Sequence, residues 1–241
     1  MKRNVLLCLF ALFVMSSVKG QNNKASDTLN YLSSVKKELK LKYPSNRTIN
    51  LIFHGHSVPS GYWHNSEVHT LDSYPHIVLE KLKDIYPYAV VNVITTSIGG
   101  EDSEHGQLRF AKDVLPYKPD VIFIDYALND LGMGLERSKI AWSKMIEEAL
   151  KENIKVILIT PSPDQRVNIL EPNNELSLHA EQIRQLAAQF HVGLADPFVA
   201  FQKVMQKEGS VKAYMSHVNH PNRKGHEIIA DEIMKWFVTK E

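Results

Sequence analysis

Four short stretches of this chain hold the side chains best suited to chemistry. "GHS" closes an apolar run and leaves Ser57 among small, turn-forming residues. "SIGGEDS" offers flexible backbone amides at Gly99 and Gly100, "ALND" the side-chain amide of Asn129, and "HVNHPN" the imidazole of His220. A serine hydroxyl is a weak nucleophile until a base takes its proton, and histidine titrates in the right range to do so. The tetrahedral intermediate of acyl transfer carries an oxyanion, which a glycine N–H and an asparagine amide can hold. Together the four residue types fit acyl transfer.

They can cooperate only if the fold brings them to one place. Short Val- and Ile-rich runs, "INLIF", "AVVNVI", "DVIFIDYA", "KVILIT" and "VGLAD", read as five buried strands. Between and around them, "SDTLNYLSSVKKELK", "SYPHIVLEKLKDIYP", "SEHGQLRFAKDVL", "ERSKIAWSKMIEEALKEN", "NNELSLHAEQIRQLAAQF" and "RKGHEIIADEIMKWFVTK" have helical spacing. The first helix has a cap at Ser26 or Asp27, and Pro75 is tolerated in the first turn of the second. Strands alternating with helices predict an α/β fold, a three-layer α/β/α sandwich with a flavodoxin-like five-stranded parallel sheet. In such sheets, sites form beyond the carboxyl ends of the strands. Ser57, Gly100 and Asn129 each follow a strand, and His220 precedes the last helix.

The ends of the chain bound where it works. Residues 1–20 carry Lys2 and Arg3, an apolar run from Val5 to Met15, and small residues Val18 and Gly20 at cleavage-site spacing. This reads as a secretory signal peptide, too short for a comfortable membrane span. Residues 21–241 then form one domain, placed outside the cell or in the periplasm. Lys2, Arg3 and Lys19 are the only charges in the leader, so the net charge of +1 becomes −2 once those three cations leave. Nothing in that balance suggests a nucleic acid or a membrane as partner of the mature form. Cys8, the single cysteine, leaves with the leader, so the mature protein has neither disulfide nor thiol nucleophile.

With those blocks in this order, the chain resembles the SGNH hydrolase superfamily, the GDSL esterases and lipases. The resemblance implies a serine ester hydrolase without metal or organic cofactor. In it Ser57 attacks the ester, His220 serves as base and then acid, and Gly100 and Asn129 bind the oxyanion with the Ser57 amide. Its implied substrate is a small-molecule or polysaccharide ester, with acetyl on a carbohydrate as the expected acyl group. An assignment one residue earlier, at Gly99, stays open.

The chain departs from the pattern in three places. Position 56 is histidine where the family has aspartate, and position 127 is alanine where it has glycine. Most consequential is His217, three residues before His220, where the family has the aspartate that orients the base. A backbone carbonyl could orient His220 instead, or a carboxylate from elsewhere, with Asp196, Asp102 and Asp164 as candidates. These departures also fit a different class, a carbohydrate-binding or accessory protein on a degenerate esterase scaffold.

Other features have weaker claims. Histidines 54, 56, 64, 69, 105, 217 and 220 crowd the expected site. His54 and His56 could share a face, yet no metal-binding spacing such as His-Glu-x-x-His occurs. His226 reads as a structural residue on the last helix. Tyr62 and Trp63 could wall a sugar or acyl group, or cover the loop's own apolar surface. "NRT" at Asn46 has the form of a glycosylation sequon.

Overall fold

The computed structural model describes residues 25–238, and the expected signal peptide lies outside them. Five strands form one parallel sheet: β1 (Thr48–Gly55), β2 (Val90–Thr95), β3 (Val121–Asp125), β4 (Lys155–Ile159) and β5 (Gly193–Ala195). Their spatial order is β2-β1-β3-β4-β5. The helices among the described residues are α1 (Ser33–Leu39), α2 (Ser57–Ser60), α3 (Tyr74–Ile85), α4 (Ser103–Asp113), α5 (Leu135–Lys151), α6 (Glu175–Phe190), α7 (Pro197–Glu208) and α8 (Arg223–Met234). This is the α/β sandwich that the alternating pattern predicts.

Side-chain alternation explains why the sheet is covered on both faces. In β3, Val121 and Phe123 enter a core with residues of α1, α3, α7 and α8. Ile122 and Ile124 enter the opposite core with α4, α5 and α6. β4 divides the same way, with Ile157 and Ile159 on one side and Val156 and Leu158 on the other. Successive side chains of a strand point to opposite faces, so an unbroken apolar run suits a strand buried on both. Phe53 of β1 stacks on Phe123 at 4.4 Å, locking these two central strands together.

Two expectations about helices are corrected. The first helix begins at Ser33, because the Asp27 carboxylate accepts the N–H groups of Leu29 and Asn30 and closes a local turn first. The sequence reading also passed over α7. Asp196 accepts the N–H of Val199 and Pro197 opens the first turn, a start signal that directly follows the very short β5.

Polar anchors fix the loops at the carboxyl edge. Asp130 is wholly buried and accepts three hydrogen bonds, from the Ser103 N–H at 2.8 Å, the Ser138 hydroxyl at 2.7 Å and the Trp142 indole at 2.8 Å. It thereby ties the loop after β3 to the starts of α4 and α5. Asp130→Ala strands three buried donors, and we expect a loss of about 3–5 kcal/mol in urea unfolding.

Two buried histidines make stability depend on pH. Burial above all, then the charge of Arg109, lowers His54 from 6.5 to about 4. Burial chiefly lowers His226 from 6.5 to about 3. Both are neutral when folded and take up a proton on unfolding below the ordinary value. Their contribution is therefore complete above about pH 6.5 and is lost as pH falls toward those values. We expect the urea midpoint to drop between pH 6.5 and 4, and His226→Asn to flatten that dependence.

Candidate active site

Each block emerges at the same edge because the strands share a register. Gly55 of β1 pairs with Asp125 of β3, and Phe53 pairs with Thr95 of β2. A Cβ on Gly55 would collide with the Asp125 carbonyl oxygen, so glycine allows the two central strands to close here. The chain then turns directly into α2, whose first residue is Ser57. The last block is shaped by Ser216, whose N–H donates to the His220 carbonyl at 2.9 Å, and by Asn222, which caps α8. Gln165 fastens the same loop, with its backbone N–H on the Val218 carbonyl and its side chain on that of His217.

The structure brings the first and last blocks into contact. His220 Nε2 lies 2.9 Å from Ser57 Oγ, a hydrogen bond between residues 163 positions apart. Ser57 is 7 % exposed, while His220 is partly buried. Burial first, then His56 and His217, lowers His220 from 6.5 to about 4. A neutral imidazole with a free lone pair can therefore face the hydroxyl over most of the pH range. The Tyr62 ring stacks over His220 with centroids 6.3 Å apart.

The middle blocks meet each other through Glu101. The Asn129 side chain donates to the Glu101 carbonyl at 2.9 Å, directly beyond Gly100. Gly100 is exposed with φ of +79°, a conformation that favours glycine. The Glu101 carboxylate is held by Arg109 at 2.8 Å and 2.5 Å and by the Tyr126 hydroxyl at 2.7 Å. Tyr126 OH in turn meets His54 Nε2 at 3.1 Å. This network sets the loop that carries Gly99 and Gly100.

The proposed substitutes for the missing aspartate do not reach the base. Asp102 caps α4 and bonds His105, Asp164 is clamped by Arg166, and Asp196 caps α7 and pairs with Arg184. No backbone carbonyl orients the ring either, since His220 Nδ1 is buried without a hydrogen-bond partner among the described residues. His217 is exposed, with its ring 5.9 Å from that of His220.

Several of the other histidines also disperse. His54 bonds Thr96 and the Gly106 carbonyl, His69 stacks on Trp63 at 4.4 Å, and His105 pairs with Asp102. His226 accepts the N–H of Tyr74 from within α8, the structural place expected of it. Of the two aromatics expected as a wall, Tyr62 reaches the base and Trp63 packs on His69.

Sequence reasoning missed a buried group beneath the nucleophile. His56 is fully buried, and its Nδ1 accepts the Val58 N–H at 3.3 Å and lies 3.5 Å from Ser57 Oγ. Its Nε2 is 3.5 Å from Asp125 Oδ1, while the Tyr74 hydroxyl donates to Asp125 Oδ2 at 3.0 Å. Burial and the adjacent Asp125 raise the Tyr74 phenol well above its usual range, so it remains a donor. The available clue was a carboxylate ending the apolar run "VIFID" at the edge where sites form.

Comparison with known proteins identifies the family. Residues 53–228 match the GDSL-like Lipase/Acylhydrolase family. The uncharacterized lipoprotein YqeF of Bacillus subtilis is 35% identical over 107 residues, spanning 41% of this chain and 42% of that protein. The chain thus spans less than half the length of that curated relative. Among solved structures, Axe2, an acetylxylan esterase from Geobacillus stearothermophilus, superposes with a TM-score of 0.68 at 20% identity, covering 83% of this chain and 97% of Axe2. A two-domain esterase active on acetylated mannans gives 0.70 at 20% identity, covering 90% of this chain and 55% of that one. Its sequence and its sheet place the chain in the GDSL-like lipase/acylhydrolase family, within the SGNH hydrolase superfamily.

Proposed function

We propose that this protein is an exported serine esterase that removes small acyl groups, acetyl foremost, from a carbohydrate. The observation that carries the reading is the 2.9 Å contact between Ser57 Oγ and His220 Nε2 within the family-matched segment. His220 takes the Ser57 proton as Oγ attacks the ester carbonyl. The resulting oxyanion is held by the N–H groups of Ser57 and Gly100 and by the Asn129 amide. Collapse expels the sugar hydroxyl, which receives the proton from His220. Water then gives His220 a proton and attacks the acyl carbon; the bond to Ser57 Oγ breaks, His220 returns the proton to Oγ, and the carboxylic acid leaves. No metal or organic cofactor takes part.

The carbohydrate assignment draws on structural neighbours that act on acetylated xylan and mannan, one of them co-crystallized with mannopentaose. Tyr62, over His220, is the aromatic placed to meet a sugar or acyl group. Export draws on the leader at residues 1–20, and the word lipoprotein in the relative's name is consistent with it. No helix among the described residues is long and apolar enough to cross a membrane.

Turnover of p-nitrophenyl acetate and release of acetate from acetylated xylan and mannan oligosaccharides test this reading. Ser57→Ala and His220→Ala should each lower kcat by at least about a thousandfold. Ser57→Ala should also abolish covalent labelling by a fluorophosphonate, whereas His217→Ala should keep most activity. Equal, negligible turnover in wild-type and Ser57→Ala protein, without labelling, points to the binding-protein reading instead. Because the His220 ring loses its proton near pH 4, kcat/KM should stay level from pH 7 downward and fall only on approaching about pH 4. An acid limb centred near 6.5 would contradict that placement of the base.

A further inference from the structure

The chemistry proposed for Ser57 leaves a charge unaccounted for. When His220 accepts the serine proton it becomes a cation, and its buried Nδ1 meets no protein group among the described residues. The family answers this with an aspartate behind the base, where this chain has exposed His217. A carboxyl group is nevertheless buried near the nucleophile. Asp125 is 3 % exposed, at the end of β3, with its two oxygens facing His56 and Tyr74.

The hydrogen-bond directions fix the state of His56. Its Nδ1 accepts from the Val58 N–H, so that nitrogen carries a lone pair and the ring hydrogen sits on Nε2, facing Asp125. The His56–Asp125 and His56–Ser57 contacts are both 3.5 Å, longer than formed hydrogen bonds. Of the two, the His56–Asp125 contact is the one in which a ring N–H faces an acceptor and which can tighten in the substrate complex. His56 is also the N-cap of α2, so the orientation of its ring sets how Ser57 and its backbone N–H are presented.

We propose that His56 is a positioning residue for the nucleophile, its ring held by Asp125 and Tyr74 so that the first turn of α2 presents Ser57 and its backbone N–H to the substrate. The chain of contacts runs from Tyr74 OH to Asp125, to His56 Nε2, and from His56 Nδ1 to the Val58 N–H in the turn that carries Ser57. Tyr74 is itself anchored, since its backbone N–H donates to His226 Nδ1 at 3.3 Å. This inference rests on the esterase reading of Ser57.

The test is the rate of fluorophosphonate labelling together with kcat and KM on p-nitrophenyl acetate. Asp125→Asn keeps shape and removes charge. It should lower kcat and the labelling rate on the order of a hundredfold, with KM and Tm little changed. Tyr74→Phe, which leaves the charge in place, should lose less than Asp125→Asn. His56→Gln should lose about as much as Asp125→Asn, and the double variant should be no slower than the slower single one. Labelled wild-type protein whose rate Asp125→Asn leaves unchanged overturns this inference and leaves the esterase reading standing. Unlabelled wild-type protein overturns both. Nitrogen NMR of histidine-labelled wild-type protein gives a readout independent of folding in the variants. His56 should appear as the neutral Nε2–H tautomer, and an Nδ1–H or doubly protonated ring overturns the proposal.

Discussion

Close approach of the two central strands at their carboxyl ends is the constraint on which the rest of the site depends. Gly55 and Asp125 face each other in register, and any side chain on Gly55 would strike the Asp125 carbonyl. Because the strands stay paired to that point, the chain leaves β1 at the level where β3 delivers its carboxylate. The next two residues are therefore His56, over Asp125, and Ser57, within reach of His220. A wider separation would expose Asp125 to water, where its charge would act weakly on its neighbours.

Below Ser57 the surroundings are dry, and that dryness acts in two directions. It depresses the charged form of His220, keeping the base unprotonated and ready. The same desolvation makes the imidazolium formed during reaction costly unless negative charge is near.

In the loops after β2 and β3, order comes from ion pairs and hydrogen bonds. Glu101 gathers Arg109, Tyr126 and, through its carbonyl, Asn129, while Asp130 gathers Ser103, Ser138 and Trp142. Two consecutive blocks are thereby joined by several satisfied polar contacts. Satisfied networks of this kind rigidify loops that few apolar contacts could hold. Donors aimed at an oxyanion need that rigidity, since a shift of about 1 Å costs much of their effect.

Much of this protein was legible without coordinates. Apolar runs of five or six residues separated by helical spacing determine a parallel sheet covered on both faces, because only burial on both sides suits such strands. The rule that sites lie past the strand ends then points to Ser57, Gly100 and Asn129, and the block before the last helix adds His220. What the sequence could not decide was which carboxylate stands near the nucleophile. Asp102, Asp164 and Asp196 looked available by type, yet each is spent on a helix cap or an arginine. Asp125 looked like the end of a strand. Its position beneath His56 follows from the register of β1 against β3, a relation between segments some 70 positions apart that no local pattern encodes. Residue types and periodicity indicated most of the elements and the candidate reacting groups; pairing register and burial, which exist only in the folded chain, decided how those groups are held.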